Sequence, residues 1–150
     1  MEEGVREKAG FQTFCNEALR LKEMDPRTYS PLALAYIGDA VYELIVRTMV
    51  INHGSIQVNK MHKKSASLVN AGTQAEMIRL ILEELTKEET AVYKRGRNAK
   101  SVTTAKHATV VDYRTATGFE ALCGYLYLTG RLERLVTLIS HGFEKIGELE

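Results

Sequence analysis

Two carboxylates in the sequence each interrupt an apolar stretch. Asp39 lies within residues 32–41 and Glu120 lies within residues 113–128, and both stretches predict buried helices. An ionised carboxylate taken out of water is destabilised unless a partner compensates its charge. Two acids on facing helices suit a hard divalent cation such as Mg²⁺, which often binds one or two protein carboxylates together with a substrate phosphate. Such a site could orient a water molecule and stabilise charge on a reacting phosphodiester.

The spacing of these acids leaves a purely structural interpretation open. Each carboxylate could be satisfied separately by a tyrosine hydroxyl, a helix-terminal amide, or an arginine such as Arg47 or Arg114. Glu43 lies four residues after Asp39 on the same side of the helix, but Arg47 follows Glu43 by another four. We therefore expect an intrahelical ion pair between Glu43 and Arg47, and we leave Glu43 out of the candidate site.

A glycine accompanies each acid. Gly38 precedes Asp39, and Gly124 follows Glu120 by one turn. Glycine inside a helix is less favourable than alanine by about 0.5–1 kcal/mol. We therefore expect the two glycines to permit a close approach of the two helices.

The apolar period predicts helices and gives no convincing alternating strand, so we assign the all-α fold class. Ser30 is a suitable N-cap and Pro31 suits the first helical position, which predicts a helix that ends near Asn52. Residues 61–85 show the three- and four-residue steps of a single amphipathic helix.

The second half of the chain predicts three further helices. Thr86 and Glu89 match a capping box, which predicts a short helix to about Arg95, and residues 96–109 read as a loop. The helix that carries Glu120 should be capped near Thr109 or Asp112. The last helix should span residues 131–146 and bury six apolar side chains: Leu132, Leu135, Val136, Ile139, Phe143 and Ile146.

Length and composition indicate one folded domain. The chain has 150 residues, of which 45% are hydrophobic, and this is enough for one core. Residues 1–29 predict an N-terminal extension with a short helix, because Asp25 and Pro26 interrupt the helical pattern before the main domain at 30–147.

Cysteine usage and hydropathy favour a cytoplasmic protein. Cys15 and Cys123 are far apart in the chain, so we expect two reduced thiols that pack against neighbours. No stretch approaches the roughly 18–20 apolar residues that a membrane span requires, and the acidic N-terminus lacks the apolar core of a signal peptide.

Two basic groups are candidates for binding nucleic acid, although the formal net charge is only +1. The stronger group combines guanidinium, ammonium and amide side chains that suit phosphate and ribose contacts, and the alternative is an ordinary solvated loop. Its members are Lys94, Arg95, Arg97, Asn98, Lys100 and Ser101, and Lys63 and Lys64 form a weaker second group.

Two segments resemble the acidic motifs of ribonuclease III catalytic domains. Residues 34–40 (LAYIGDA) resemble the signature helix of that family, and residues 119–126 (FEALCGYL) resemble its second acidic motif. Residues 61–76 lie between them in the order expected of the middle helix. The resemblance covers residues 31–146 and implies the helical bundle of a ribonuclease III endonuclease domain.

The resemblance also shows departures from longer members of the family. Glutamates that are usual at two positions of the first motif are replaced by Leu32 and Ala35, and an aspartate of the second motif is replaced by Thr117. Longer members also carry a C-terminal double-stranded-RNA-binding domain, which we do not expect here. These departures and the segment 95–101 resemble the short bacterial branch called Mini-ribonuclease III.

This resemblance implies a homodimeric endoribonuclease that trims double-stranded stems of the precursor of 23S ribosomal RNA and leaves 5′-phosphates. Asp39 and Glu120 match the metal-binding catalytic acids, with Mg²⁺ as the expected ion and Mn²⁺ as an alternative. A large-subunit ribosomal protein is a further candidate partner.

Two rival interpretations remain at this point. A catalytically silent RNA-binding or ribosome-assembly protein on the same fold would explain the missing acids, although it would have no need of Asp39 and Glu120. A helical nucleotide pyrophosphohydrolase would use glutamates three residues apart, and the chain has no such pair.

Overall fold

The computed structural model describes residues 2–54, 57–100 and 109–149, with side chains from residue 10 onward. Within these ranges the chain forms seven α-helices and no strand, which confirms the all-α prediction. The helices are α1 (Glu2–Ala18), α2 (Pro31–Asn52), α3 (Val58–Val69), α4 (Ala71–Ile81), α5 (Lys87–Arg97), α6 (Val110–Leu128) and α7 (Leu132–Lys145), and short 3₁₀ turns occupy Pro26–Thr28 and Leu82–Glu84.

Helix α6 is the central element of the fold. All residues from 115 to 126 are buried except Glu120, which is half-buried. A helix that is apolar on every side requires neighbours on every side. Helices α2, α4, α5 and α7 supply them by packing around α6.

Tyr42 of α2 connects three helices in the core. Its ring meets that of Phe119 on α6 edge to face, with ring centroids 5.2 Å apart. Its hydroxyl donates to the carbonyl oxygen of Leu68 on α3 at 2.6 Å. The polar tip of the buried tyrosine is thereby satisfied, and the end of α3 is fixed against α2.

Three predicted helix starts are confirmed by their caps. The Ser30 hydroxyl accepts from the Ala33 amide at 3.1 Å, with Pro31 in the first turn. Thr86 opens α5 with a complete capping box. Thr109 caps α6 by accepting from the amide of Asp112. In each case a short-range side-chain hydrogen bond satisfies an otherwise free helix amide.

The prediction of one helix over residues 61–85 is wrong. The segment forms α3 and α4, separated at Asn70, whose backbone is extended and whose side chain accepts from the Thr73 amide at 2.8 Å. A local side-chain hydrogen bond competes here with helix continuation. The apolar period continues through the break because both helices face one core.

The predicted loop at 96–109 begins too early. Gly96 and Arg97 belong to the last turn of α5, so Lys94, Arg95 and Arg97 lie on a helix. Gly96 is buried where α5 packs on α6, and this contact favours helix continuation. Residues 101–108 of the predicted loop, including Ser101, lie outside the described residues.

Helix α7 confirms the predicted position of the last helix but not its whole buried face. Leu135, Ile139 and Phe143 are buried as expected, and Ile146 is partly buried against the core. Leu132 and Val136 are exposed, because only one narrow stripe of α7 contacts the core.

The predicted N-terminal helix is present as α1. The Gln12 side chain donates to the Tyr127 carbonyl at the end of α6. Phe11 and Phe14 are largely exposed. Cys15 and Cys123 are free thiols, as predicted. Within the described ranges, none of the helices is long and apolar enough to cross a membrane.

Candidate active site

The site forms where α2 and α6 cross in backbone contact. A Cβ atom added at Gly38 would lie 1.7 Å from the Glu120 carbonyl oxygen. One added at Gly124 would lie 2.0 Å from the Leu34 carbonyl oxygen. Only glycine permits this approach, so the predicted role of both residues is confirmed. The crossing brings Asp39 and Glu120 together.

The two acids are each other's partners. The Glu120 carboxyl group makes a side-chain hydrogen bond with Asp39, and burial together with the adjacent Asp39 carboxylate raises the pKa of Glu120 to about 9. The Gln74 amide acts in the opposite direction and lowers this pKa. Arg47, one suggested structural partner, pairs with Glu43 at 3.1 Å, as predicted.

Asp39 differs from expectation in its burial. The stretch around it predicted a buried acid, yet Asp39 is exposed and Glu120 is half-buried. The reason is helical geometry: α2 turns Leu34, Gly38 and Tyr42 toward the core, and Asp39 lies at the edge of that face. The acid pair is therefore open to solvent on the Asp39 side.

Of the three missing acids of the resemblance, one is replaced by Leu32, which is exposed, and the other two by residues that complete packing. Ala35 is buried in a cluster with Ala121 and Tyr125. The Thr117 hydroxyl donates to the Tyr113 carbonyl at 2.9 Å within α6. Neither position offers an ionised ligand to the site. The part of the chain that the structure describes holds no group of three or more acidic, histidine or cysteine side chains suited to a metal.

Gln74 is a third polar side chain at the site, and sequence reasoning missed it. It lies in the first turns of α4, is 1% exposed, and its Nε2 atom has no hydrogen-bond partner among the described residues. One sequence signal could have identified Gln74. It lies four residues before the core residue Ile78, and this spacing places a polar side chain on the apolar side of the helix.

The donor set fits a hard divalent cation. Asp39 and Glu120 would hold such a cation, because a nearby positive charge favours the ionised form of a carboxyl group. Oxygen ligands from two carboxylates match the preference of Mg²⁺, which completes its coordination with water and phosphate oxygens. The buried, unpartnered Gln74 amide adds a polar group that the apolar core does not require.

The stronger basic group lies on the last turn of α5 and just beyond it, and α5 packs on the helix that carries Glu120. Gly96, in the middle of the group, contacts α6: its added Cβ would lie 2.7 Å from the Ala121 Cβ atom. Lys94 and Arg95 are exposed on the same turn, and the Arg97 guanidinium lies over the Tyr93 ring at 5.6 Å from the centroid. The last turn of α5 therefore packs next to the residue that follows Glu120.

The remaining basic candidates divide between two places. Asn98 is the C-cap of α5, and Lys100 is exposed just beyond it. Lys63 and Lys64 are exposed on α3, which packs on α2 and α4, and Lys64 pairs with Glu148 at 2.5 Å. The weaker group thus lies on a different helix, and one of its two cations is already paired.

Comparison with known proteins identifies the family of this chain. The sequence profile of the Ribonuclease III domain matches residues 32–131. The Mini-ribonuclease 3 of Enterococcus faecalis is 48% identical over 83% of this chain and 96% of its own. That of Streptococcus pneumoniae is 46% identical over 82% of this chain and 98% of its own.

A solved structure supports the same conclusion. A crystal structure of a protein from Fusobacterium nucleatum superposes with a TM-score of 0.74 and 32% identity, over 85% of this chain and all of that one. Family profile, relatives and fold thus agree. The chain belongs to the ribonuclease III family of endoribonucleases, in its Mini-ribonuclease 3 branch.

Proposed function

We propose that this protein is a Mg²⁺-dependent endonuclease for double-stranded RNA that processes stems of the 23S ribosomal RNA precursor as a homodimer. Asp39 and Glu120 are the metal-binding catalytic acids. The observation that carries this proposal is the pairing of the two acids at a glycine-lined helix crossing that is open to solvent on one side.

The acid pair supports hydrolysis because its charges are arranged for a cation rather than for folding. Without a cation, two adjacent carboxylates destabilise each other unless one is protonated. A bound Mg²⁺ supplies Lewis-acid stabilisation of the phosphodiester and a water of lowered pKa. Asp39 and Glu120 would hold it, directly or through water, and the close helix contact fixes their relative position.

RNA binding is assigned to the last turn of α5. Lys94 and Arg95 are exposed, and Arg97, Asn98 and Lys100 extend the same basic group. Double-stranded RNA is recognised mainly through its shape, phosphates and 2′-hydroxyl groups, which suits cations near the acids better than a base-reading element. Lys63 gives a second, weaker candidate contact.

The homodimer is supported by the outer face of α2. Leu32, Tyr36 and Leu44 are exposed apolar residues on the helix that carries Asp39, and Tyr36 is 83% exposed. Apolar side chains grouped on one helix face favour a partner. A symmetric contact there would place one acid pair in each subunit near the interface, as cleavage of two strands requires.

Cleavage of an end-labelled RNA duplex tests this function. Wild-type protein should cut the duplex with Mg²⁺ and not with EDTA, and should spare single-stranded RNA and duplex DNA. Asp39→Asn should lower kcat by more than about 100-fold, beyond the 10–100-fold typical of residues that only support a metal ligand.

Glu43→Gln is the matched control, since it removes a carboxylate from the same helix that is paired with Arg47. It should retain near wild-type cleavage. Duplex binding without cleavage by the wild-type protein under every metal condition would instead establish the silent assembly protein and contradict the proposal. The ribosomal substrate is tested separately, by comparing the cleavage rate of isolated stems of the 23S ribosomal RNA precursor with that of unrelated RNA duplexes.

A further inference from the structure

Gln74 is a buried polar residue whose position the packing does not explain. The other buried side chains of α4 are apolar: Ala75, Met77, Ile78 and Ile81. Leaving an amide donor buried without a partner opposes folding. A buried donor of this kind can gain an acceptor when the site changes state, for example when a ligand binds.

Two other buried polar residues, Glu89 and Thr117, have internal partners. Glu89 closes the capping box and binds Arg134, and Thr117 donates to the carbonyl of Tyr113. Gln74 differs, since its Nε2 atom has no partner in the described part of the chain. The comparison makes a function in folding a weak explanation for the Gln74 amide.

The nearest chemistry to the amide is the acid pair. Helix α4 packs on α6, and the Gln74 side chain lies close enough to Glu120 to lower the pKa of its carboxyl group, although no acceptor among the described residues meets hydrogen-bond geometry with the Nε2 atom. Without a cation, Glu120 is engaged with Asp39. With a cation bound at the site, one Glu120 oxygen would contact the cation and the other would be free to accept from the amide.

We propose that Gln74 is a positioning residue of the active site: its Nε2 atom donates to one Glu120 oxygen and directs the other oxygen toward the metal. The inference rests on the proposed metal-dependent function. Residues that hydrogen-bond to metal ligands in this way restrict the rotation of the ligand, and their loss typically weakens metal binding or activity by 10–100-fold.

Calorimetric titration of the protein with MnCl₂ alone distinguishes a positioning role of Gln74 from a purely structural role. Gln74→Leu and Gln74→Met remove the donor but fit an apolar core. We expect each variant to keep or raise the wild-type Tm, to bind Mn²⁺ about 10–100-fold more weakly, and to lower kcat without a change in KM for duplex RNA.

Ile78→Val is the matched control on the same face of α4. It should lower Tm by removing a buried methylene and leave the Mn²⁺ affinity unchanged. Gln74→Glu distinguishes donation from ligation, since it keeps the length and replaces the donor with an acceptor. Weaker Mn²⁺ binding by this variant supports donation, whereas tighter binding would overturn it in favour of a direct ligand.

The outcomes for the wild-type protein keep the two proposals apart. If wild-type protein and Asp39→Asn both fail to bind Mn²⁺, the proposed metal-dependent function fails, and the role of Gln74 fails with it. If wild-type protein binds Mn²⁺ and folded Gln74→Met binds it equally well, only the role of Gln74 is overturned.

Discussion

Glu120 is a carboxyl group held in a protonated state by its surroundings. Burial and the neighbouring Asp39 carboxylate raise its pKa to about 9, from an ordinary value near 4.5. At neutral pH the folded state therefore retains a proton that the unfolded state has lost, and this difference lowers stability. This is a typical property of a functional site, where charges are placed for chemistry at the expense of stability.

The raised pKa of Glu120 predicts a falling stability with rising pH in metal-free protein. Between about pH 4.5 and 9 the folded state binds more protons than the unfolded state, so the free energy of unfolding decreases as pH increases. Glu120→Gln should remove this decrease and become the more stable protein toward pH 9. Urea unfolding of wild-type protein and of Glu120→Gln in EDTA, at several pH values, measures these free energies.

The control for this prediction is Mg²⁺. Its addition should stabilise wild-type protein increasingly as pH rises, because protons and the cation compete for the acid pair. If the free energy of unfolding in EDTA changed with pH equally in wild-type protein and in Glu120→Gln, Glu120 would not be the cause of the pH dependence.

The contact between α2 and α6 determines the separation of the acids. An added methyl group at Gly38 meets backbone atoms of α6, which cannot move aside as a flexible side chain can. The predicted result for Gly38→Ala is a loss of about 3 kcal/mol or more in the free energy of unfolding, together with loss of activity in any folded fraction.

Gly10→Ala on α1 is the matched control, since nothing lies within 4 Å of the added Cβ atom. Alanine there should leave stability unchanged or raise it by up to about 1 kcal/mol. Thermal and urea unfolding of both variants gives the comparison. A well-folded, active Gly38→Ala protein would show that the helices can separate without consequence for the site.

The last turn of α5 is expected to contact phosphate. Arg95 is exposed, whereas Arg97 also packs on Tyr93, so Arg95→Ala is the cleaner test of RNA binding. It should raise KM for duplex RNA and reduce the slope of log affinity against log salt by about 1. An equal effect in Arg27→Ala, which removes an exposed cation paired with Asp25, would indicate only a general loss of charge.

Local signals in the sequence predicted where helices begin better than where they break or continue. The caps at Ser30, Thr86 and Thr109 depend on short-range hydrogen bonds, and each was found as expected. The break at Asn70 was missed because one apolar period runs through both helices. The helical state of Gly96 was missed because it results from packing against α6, which no local pattern reveals.

The sequence likewise predicted the two acids of the site, but not how tertiary packing arranges the residues around them. Asp39 and Glu120 were identifiable because each interrupts an apolar stretch, and Gly38 and Gly124 indicated that the helices meet. The exposure of Asp39 was not predictable from its apolar neighbours. The proximity of Gln74 to Glu120 depends on how α4 docks on α6, and a single polar residue in an amphipathic helix does not specify that arrangement.

The whole molecule presents an apolar surface on the helix that also supplies Asp39, one of the proposed catalytic acids. Tyr36 lies three residues before Asp39, and both are exposed. A dimer interface on this face would therefore border the active site. Assembly and catalysis would then depend on the same helix.

Dimer formation through α2 predicts a specific effect of Tyr36→Ser. Loss of a central aromatic side chain should weaken the dimer by about 10–100-fold in Kd, because aromatic residues commonly dominate interface energetics. Val136→Ser, at an exposed apolar position on α7, should leave the dimer intact. Sedimentation equilibrium of the two variants measures the effect, and a Tyr36→Ser dimer of wild-type strength would place the interface elsewhere.

The crossing of α2 and α6 also has a consequence for the order in which the chain is synthesised. Asp39 leaves the ribosome before α3, α4 and α5, whereas Glu120 follows all three of these helices in the chain. The acid pair therefore cannot exist until α6 has emerged and docked on α2. A nascent chain would therefore lack the proposed hydrolytic pair, and could not cut nearby RNA with it, until α6 has left the ribosome.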